Sequence, residues 1–235
     1  MTDYRAPLRE LRFIREELLD YYGHYQRLPG CEEVTPDLVD PIIDEMAKFC
    51  AQVLAPLSRS GDEEGCRWED GVVSTPKGFK EAYRQYIEAG WGAVDKPVEF
   101  GGQGLPESLG AMLSEIVVAS NVAWTMYPGL SHGALKTIHT HGTEQQKNAY
   151  LTKLVSGEWT GTMCLTESHC GTDLGVLLTR AEPQPDGSYK LFGTKIFISA
   201  GDHDLAENIV HIVLARLPDA PAGTKGISLF IVPKF

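Results

Sequence analysis

Two stretches carry the residues whose types and spacing could do chemistry. Met163-Cys164-Leu165-Thr166-Glu167-Ser168-His169-Cys170-Gly171-Thr172-Asp173 opens as a β-type run and breaks into a polar turn of hydroxyls, acids and small residues. Further on, Gly193-Thr194-Lys195-Ile196-Phe197-Ile198-Ser199-Ala200-Gly201 reads as a second β run closing on Ser-Ala-Gly. Asp186-Gly187 lies between them and is a strong hairpin signal. Two strands that each end in hydroxyls and free backbone N–H groups can line a planar, hydrogen-bonding cofactor. The same residues also have simpler readings. Met163, Leu165 and Phe197 fit inward-facing strand positions, and Thr166 and Thr172 fit turn hydroxyls bonded to nearby backbone. Cys164 and Cys170 read as small packing residues, since no activating His or cation pattern accompanies Cys164.

Other candidates are weaker. His132, His139 and His141 suggest a metal, but no Cys or carboxylate accompanies them at ligand spacing, and residues two apart lie on different faces of a helix. They read as ordinary polar or capping histidines. The glycine-rich stretch Pro97–Pro106 lacks both Gly-Lys-(Ser/Thr) and the GxGxxG spacing, so it reads as a turn between helices rather than a phosphate loop.

Two later runs sharpen the pattern: Gly201-Asp202-His203-Asp204-Leu205-Ala206-Glu207-Asn208 and Lys225-Gly226-Ile227-Ser228-Leu229-Phe230-Ile231-Val232-Pro233-Lys234. With the Cys164-Leu165-Thr166-Glu167 run, the Gly171-Thr172-Asp173 turn and the Gly193-Thr194-Lys195-Ile196-Phe197-Ile198-Ser199 strand, the chain resembles the FAD-dependent acyl-CoA dehydrogenase family over essentially its whole length. That resemblance implies removal of an α-proton and a β-hydride from an acyl-CoA thioester, giving the trans-2-enoyl-CoA. The two later runs point to a branch for which a short or sulfur-containing acyl group, such as 3-methylmercaptopropionyl-CoA, is implied. Met163, Leu165 and Thr166 would lie along the flavin ring, with backbone groups and the Thr166 hydroxyl as donors. Gly171 and Thr172 would approach the FAD pyrophosphate, and Thr172 would also approach the substrate. Phe197 would pack on the ring, where many relatives have tryptophan, and Ser199 would place its hydroxyl near the N5 edge, where they have threonine. The resemblance assigns the catalytic base to a C-terminal helical bundle beyond Phe235, which leaves Glu167 out of that role and implies that these residues alone are inactive. It also implies an electron-transfer flavoprotein as partner and a homodimer or homotetramer. The rival readings are an acyl-CoA oxidase, or a non-catalytic fragment or binding module of the same fold.

The elements that must position these residues fall in two blocks. Residues 7–22 predict a short amphipathic helix. Thr35-Pro36 and Asp40-Pro41 are alternative starts for a core helix running to about Ser58, followed by a polar loop over 60–65. Thr75-Pro76 starts another helix, which Gly90 stops. Residues 107–126 and 130–140 predict two buried helices, and Thr143 with Gln146 forms a capping box for a helix ending at Gly157. The period then changes, and 161–166, 176–182, 188–192, 195–199, 208–216 and 226–232 read as strands. Helices first and strands afterwards predict an α+β chain: an all-α domain followed by an antiparallel β-barrel-type domain, with no Rossmann fold. The expected limits are 1–34 for a helical extension, 35–159 for the helical domain and 160–235 for an incomplete β domain.

A net charge of −11 argues against nucleic acid or an anionic membrane as partner, because phosphate contacts need clustered Lys and Arg. No apolar run is long enough to span a bilayer, and the acidic N-terminus is unlike a targeting peptide. The five cysteines include no CxxC pair, so reduced thiols in the cytoplasm are expected.

Overall fold

The computed structural model describes residues 4–235. The first amphipathic stretch is broken rather than continuous. Helix α1 (Leu8–Phe13) passes into a π-helical turn, Ile14–Leu18, and Asp20 adopts φ +44° before α2 (Tyr21–Tyr25). The buried Arg15 guanidinium ties this segment to Asp40 at 2.5 Å. Helix α3 (Pro36–Phe49) uses the Thr35-Pro36 start, where proline's missing N–H is one of those left unpaired in any first turn, and it carries Pro41 in its interior. It continues through a π-helical turn, Cys50–Leu54, into α4 (Ala55–Glu64). The loop expected at 60–65 is therefore helix up to Gly65. Gly61 is there for packing: an added Cβ would lie 2.6 Å from the Phe79 ring.

A small hairpin, β1 (Arg67–Glu69) and β2 (Val72–Ser74), was not expected. Its turn residues Asp70 and Gly71 have φ +48° and +82°, the pair of left-handed conformations that a two-residue hairpin needs. After α5 (Phe79–Glu88) the glycine-rich turn packs back on itself, and a Cβ on Gly102 would meet the Lys96 carbonyl at 2.1 Å. Helices α6 (Glu107–Ser120) and α7 (Val122–His141) are separated at Asn121, not in the 127–129 region expected from the sequence. The Asn121 carboxamide caps the Trp124 N–H at 3.0 Å and donates to the Leu54 carbonyl at 3.1 Å. Val39, Met46, Leu54, Leu109, Ile116 and Trp124 are among the buried core residues of these helices. Helix α8 (Glu144–Ser156) has the expected capping box and ends at Gly157 with φ +78°.

Five strands follow: β3 (Trp159–Cys164), β4 (Arg180–Pro183), β5 (Tyr189–Phe192), β6 (Asn208–Arg216) and β7 (Ile227–Pro233). The α+β class stands, but the antiparallel barrel does not. Central β6 pairs in parallel with β3 and, at Arg216, with β4, while β7 pairs with it antiparallel and β5 pairs antiparallel with β4. The sheet is mixed and open among the described residues. The parallel pairing arises because the chain leaves β3, makes the β4–β5 hairpin and crosses back before β6, a connection only a long crossover permits. Helix α7 lies hard against β3: a Cβ on Gly161 would sit 2.4 Å from the Ala134 Cβ, and the Gly161 N–H donates to Ser131 Oγ at 3.0 Å.

The described residues fall into two compact units, one ending at Met126 and one spanning Tyr127–Phe235. The candidate site lies wholly in the second. Among the described residues no helix is long and apolar enough to cross a membrane. Among the described residues none of the cysteines, Cys31, Cys50, Cys66, Cys164 and Cys170, is in a disulfide.

Candidate functional site

Strand β3 ends at Cys164, so Leu165 and Thr166 lie just past the ladder rather than in it. Along the strand Thr162 and Cys164 are buried and Met163 is exposed, as alternation requires. The Leu165 side chain packs with Cys170, Leu177 and Leu214, leaving its backbone to face other partners. The Thr166 hydroxyl makes no hydrogen bond among the described residues. A tight turn then returns the chain: the Glu167 N–H donates to the Cys170 carbonyl at 2.8 Å, and the Cys170 N–H to the Glu167 carbonyl at 3.1 Å. This brings Gly171 beside Thr166, where an added Cβ would lie 3.6 Å from the threonine methyl. Thr172 follows on the surface, its carbonyl accepting from the Leu174 N–H at 3.2 Å.

Residues 195–199 do not form the expected strand. Gly193 packs against Thr179 and Phe197 sits at φ +56°, a left-handed conformation that a pleated ladder cannot absorb. The segment is held by other means. The Ile196 N–H donates to the Thr166 carbonyl at 2.9 Å, and the Lys195 ammonium donates to the Leu165 carbonyl at 3.0 Å and to Glu167 Oε1 at 2.9 Å. Phe197 is consequently pushed outward, 88% exposed, with Ser199 exposed in the next turn. Thr166, Gly171 and the base of Phe197 are thus brought together, with Met163 and Leu165 leading into them. Thr172 and Ser199 lie one and two residues further out on the same two segments. A left-handed bulky residue is held against its own preference only where neighbours over-determine it.

Glu167 is the buried centre beneath these groups. Besides Lys195 it accepts from the Thr179 hydroxyl at 2.5 Å and from the N–H groups of Thr179 and Leu178 at 2.9 and 2.8 Å. Burial by itself would raise its pKa, but the Thr179 hydroxyl, Lys195 and the two amides reverse that and hold it down at about 2. A carboxylate so deeply ionised and so fully bonded is a poor proton acceptor. His169 and Cys170 place ligand-type atoms within 4.8 Å of it. This group is already engaged: His169 Nε2 is 3.0 Å from the Val176 carbonyl, to which it donates, and the Glu167 oxygens have the partners above. Burial pushes the Cys164 thiol up, in keeping with a packing role.

The buried His203 and the half-buried His211 were missed in the sequence. His203 Nδ1 accepts from the Leu205 N–H at 3.1 Å, so Nε2 carries the proton and donates to Thr160 Oγ1 at 2.9 Å. His211 Nδ1 pairs with Thr162 Oγ1 at 2.7 Å. Burial pushes His203 down to about 4 and lowers His211 as well. The available signal was the period-two spacing of Thr160 and Thr162, which puts both hydroxyls on one face of β3.

A family model, acyl-CoA dehydrogenase, N-terminal domain, matches residues 40–158. A 3-methylmercaptopropionyl-CoA dehydrogenase of Ruegeria pomeroyi is 45% identical over 98% of this chain and 39% of its own length. A butyryl-CoA dehydrogenase of Syntrophomonas wolfei is 37% identical over 99% of this chain and 39% of its own. The chain therefore spans about two fifths of the length of these relatives. The solved structure of butyryl-CoA dehydrogenase from Megasphaera elsdenii, 24% identical, superposes with a TM-score of 0.68 over 85% of this chain and 49% of that one, a likeness of fold.

Proposed function

The chain belongs to the acyl-CoA dehydrogenase family, and from that premise we propose that it is the N-terminal part of an FAD-dependent enzyme that introduces a double bond between the α and β carbons of an acyl-CoA thioester. The observation that carries the reading is the arrangement at the end of β3. An exposed Met163, a Thr166 hydroxyl with no hydrogen bond among the described residues and an outward-held Phe197 stand on segments joined by the Ile196–Thr166 hydrogen bond. An apolar ring with polar edges fits that set. FAD would supply the hydride acceptor when bound.

In this reading Met163 and Phe197 pack on the flavin ring, Leu165 contributes backbone, and Thr166 donates to the ring's polar edge. Donors placed there favour the electron-rich form of the ring. Ser199 stands toward the N5 edge. Gly171 and Thr172 approach the pyrophosphate, with Thr172 also toward the acyl-CoA. Glu167 orders the framework and leaves the α-proton to a carboxylate outside these 235 residues. The domain limits 1–34, 35–159 and 160–235 describe how the chain divides this work. A short acyl-CoA is the substrate, with 3-methylmercaptopropionyl-CoA the first candidate because the 45% identical relative bears that name. An electron-transfer flavoprotein receives the electrons, and the working enzyme is a cytoplasmic homodimer or homotetramer.

The test is anaerobic titration of the complete purified protein. Flavin absorbance should be present and should bleach on adding 3-methylmercaptopropionyl-CoA or butyryl-CoA. A folded protein that holds no flavin overturns the reading, and stoichiometric hydrogen peroxide on aerobic turnover would identify an oxidase instead.

A further inference from the structure

The Lys195–Glu167 pair lies outside the residues proposed to touch the cofactor, yet it joins the segments that carry them. The two side chains are only 10% and 4% exposed. Glu167 gathers three parts of the chain: its own turn, the Leu178–Thr179 backbone and Lys195. The ammonium also grips the Leu165 carbonyl, one residue before the Thr166 carbonyl that receives the Ile196 N–H. Lys195 and Ile196 thus anchor consecutive positions immediately before the strained Phe197, and the Gly201 N–H to Ile198 carbonyl bond at 3.0 Å closes the far side. A buried ion pair adds little stability over an apolar pair of similar volume, but it demands one geometry. Here that geometry fixes a segment that has no strand ladder to fix it.

We propose that Lys195 is a positioning residue: by bridging Glu167 and the Leu165 carbonyl it locks the Gly193–Gly201 segment against the end of β3, and so sets where Phe197 and Ser199 stand. The proposal rests on the flavin reading above. Lys195 touches neither cofactor nor substrate and acts through Phe197 and Ser199. Without the bridge the Phe197 backbone relaxes toward the β region, and its ring leaves the face it holds.

The experiment compares the holoenzyme with Lys195→Met, Lys195→Arg and Lys195→Gln. Bound FAD, the visible flavin spectrum, single-turnover flavin reduction by butyryl-CoA and the KM are measured, with circular dichroism as the check on folding. Lys195→Met should fold, shift the flavin spectrum and slow flavin reduction about 100-fold while KM changes less than about threefold, because the loss is one of orientation. Lys195→Arg, which can still bridge both acceptors, should recover most of the rate. Lys195→Gln keeps a donor but cannot span both acceptors, so it should fold and remain slow, and it decides the matter if Lys195→Met does not fold. A folded Lys195→Gln or Lys195→Met protein with the unaltered spectrum and rate overturns the proposal. Wild-type protein without flavin overturns the function reading itself, and this inference with it, before any variant is compared.

Discussion

Thr166 and His203 show how differently two hydrogen-bonding side chains are used in one small region. Among the described residues the Thr166 hydroxyl, beside Gly171, makes no hydrogen bond, whereas the His203 ring is satisfied on both nitrogens. In the complete enzyme Thr166→Val keeps the shape and removes the donor. It should weaken FAD binding or shift the flavin potential by an amount equivalent to about 1–3 kcal/mol, read by cofactor titration and spectroelectrochemistry. For His203 the sign follows from a native pKa below the ordinary 6.5, at about 4. The unfolded chain takes up a proton below 6.5 that the native ring refuses. Its contribution is complete above that pH and is lost as pH falls toward 4, by at most about 3 kcal/mol, with His211 acting in the same direction. Thermal unfolding followed from pH 7 to pH 4 should show this loss. His203→Gln, whose amide offers a donor and an acceptor but does not titrate, should flatten the curve. Thr166 was singled out in the sequence only through the family resemblance, and the role of His203 could not be read there at all, since a histidine between two aspartates has many ordinary uses.

At the scale of elements, local chemistry was legible wherever a signal is carried by a few adjacent residues. Thr35-Pro36, the Thr143–Gln146 box, the Gly157 stop and the Asp186-Gly187 hairpin stand where such residues put them. The rule that finds Asp186-Gly187 applies equally to Asp70-Gly71, but strands of three residues are too short to display an alternating pattern beside it. The 195–199 segment misled for the opposite reason. Its β-branched and aromatic residues suit a strand, but Gly193 and Phe197 take conformations set by Thr179, Thr166 and Glu167, distant in sequence. The contact between α7 and β3 offers a direct test. Gly161→Ala forces its new methyl against Ala134, with an initial separation of 2.4 Å that something must relieve. It should destabilise the protein by about 1–3 kcal/mol, seen as a lower Tm, and Ala134→Gly in the same chain should restore much of the loss.

At the scale of the whole molecule, the arrangement makes a claim about what this chain does by itself. Expressed alone, the 235 residues should not turn over acyl-CoA even with added FAD and an artificial electron acceptor, because the acid beneath the proposed flavin face is held ionised at about 2 by four hydrogen-bonded donors and cannot serve as the base. Steady enoyl-CoA production that disappears in Glu167→Gln would overturn that assignment. The sequence by itself determined the helix-then-strand order, the ends of several helices, the family and the two stretches of the candidate site, because capping, periodicity and motif are properties of neighbouring residues. Only the tertiary structure decided that β3 and β6 run parallel, that Phe197 is turned outward in a left-handed conformation, and that Glu167 is a buried anchor rather than a free acid. Each of those depends on groups far apart in the chain meeting within hydrogen-bond distance, and nothing in the order of residues says which strand, carbonyl or ammonium will be there to meet them.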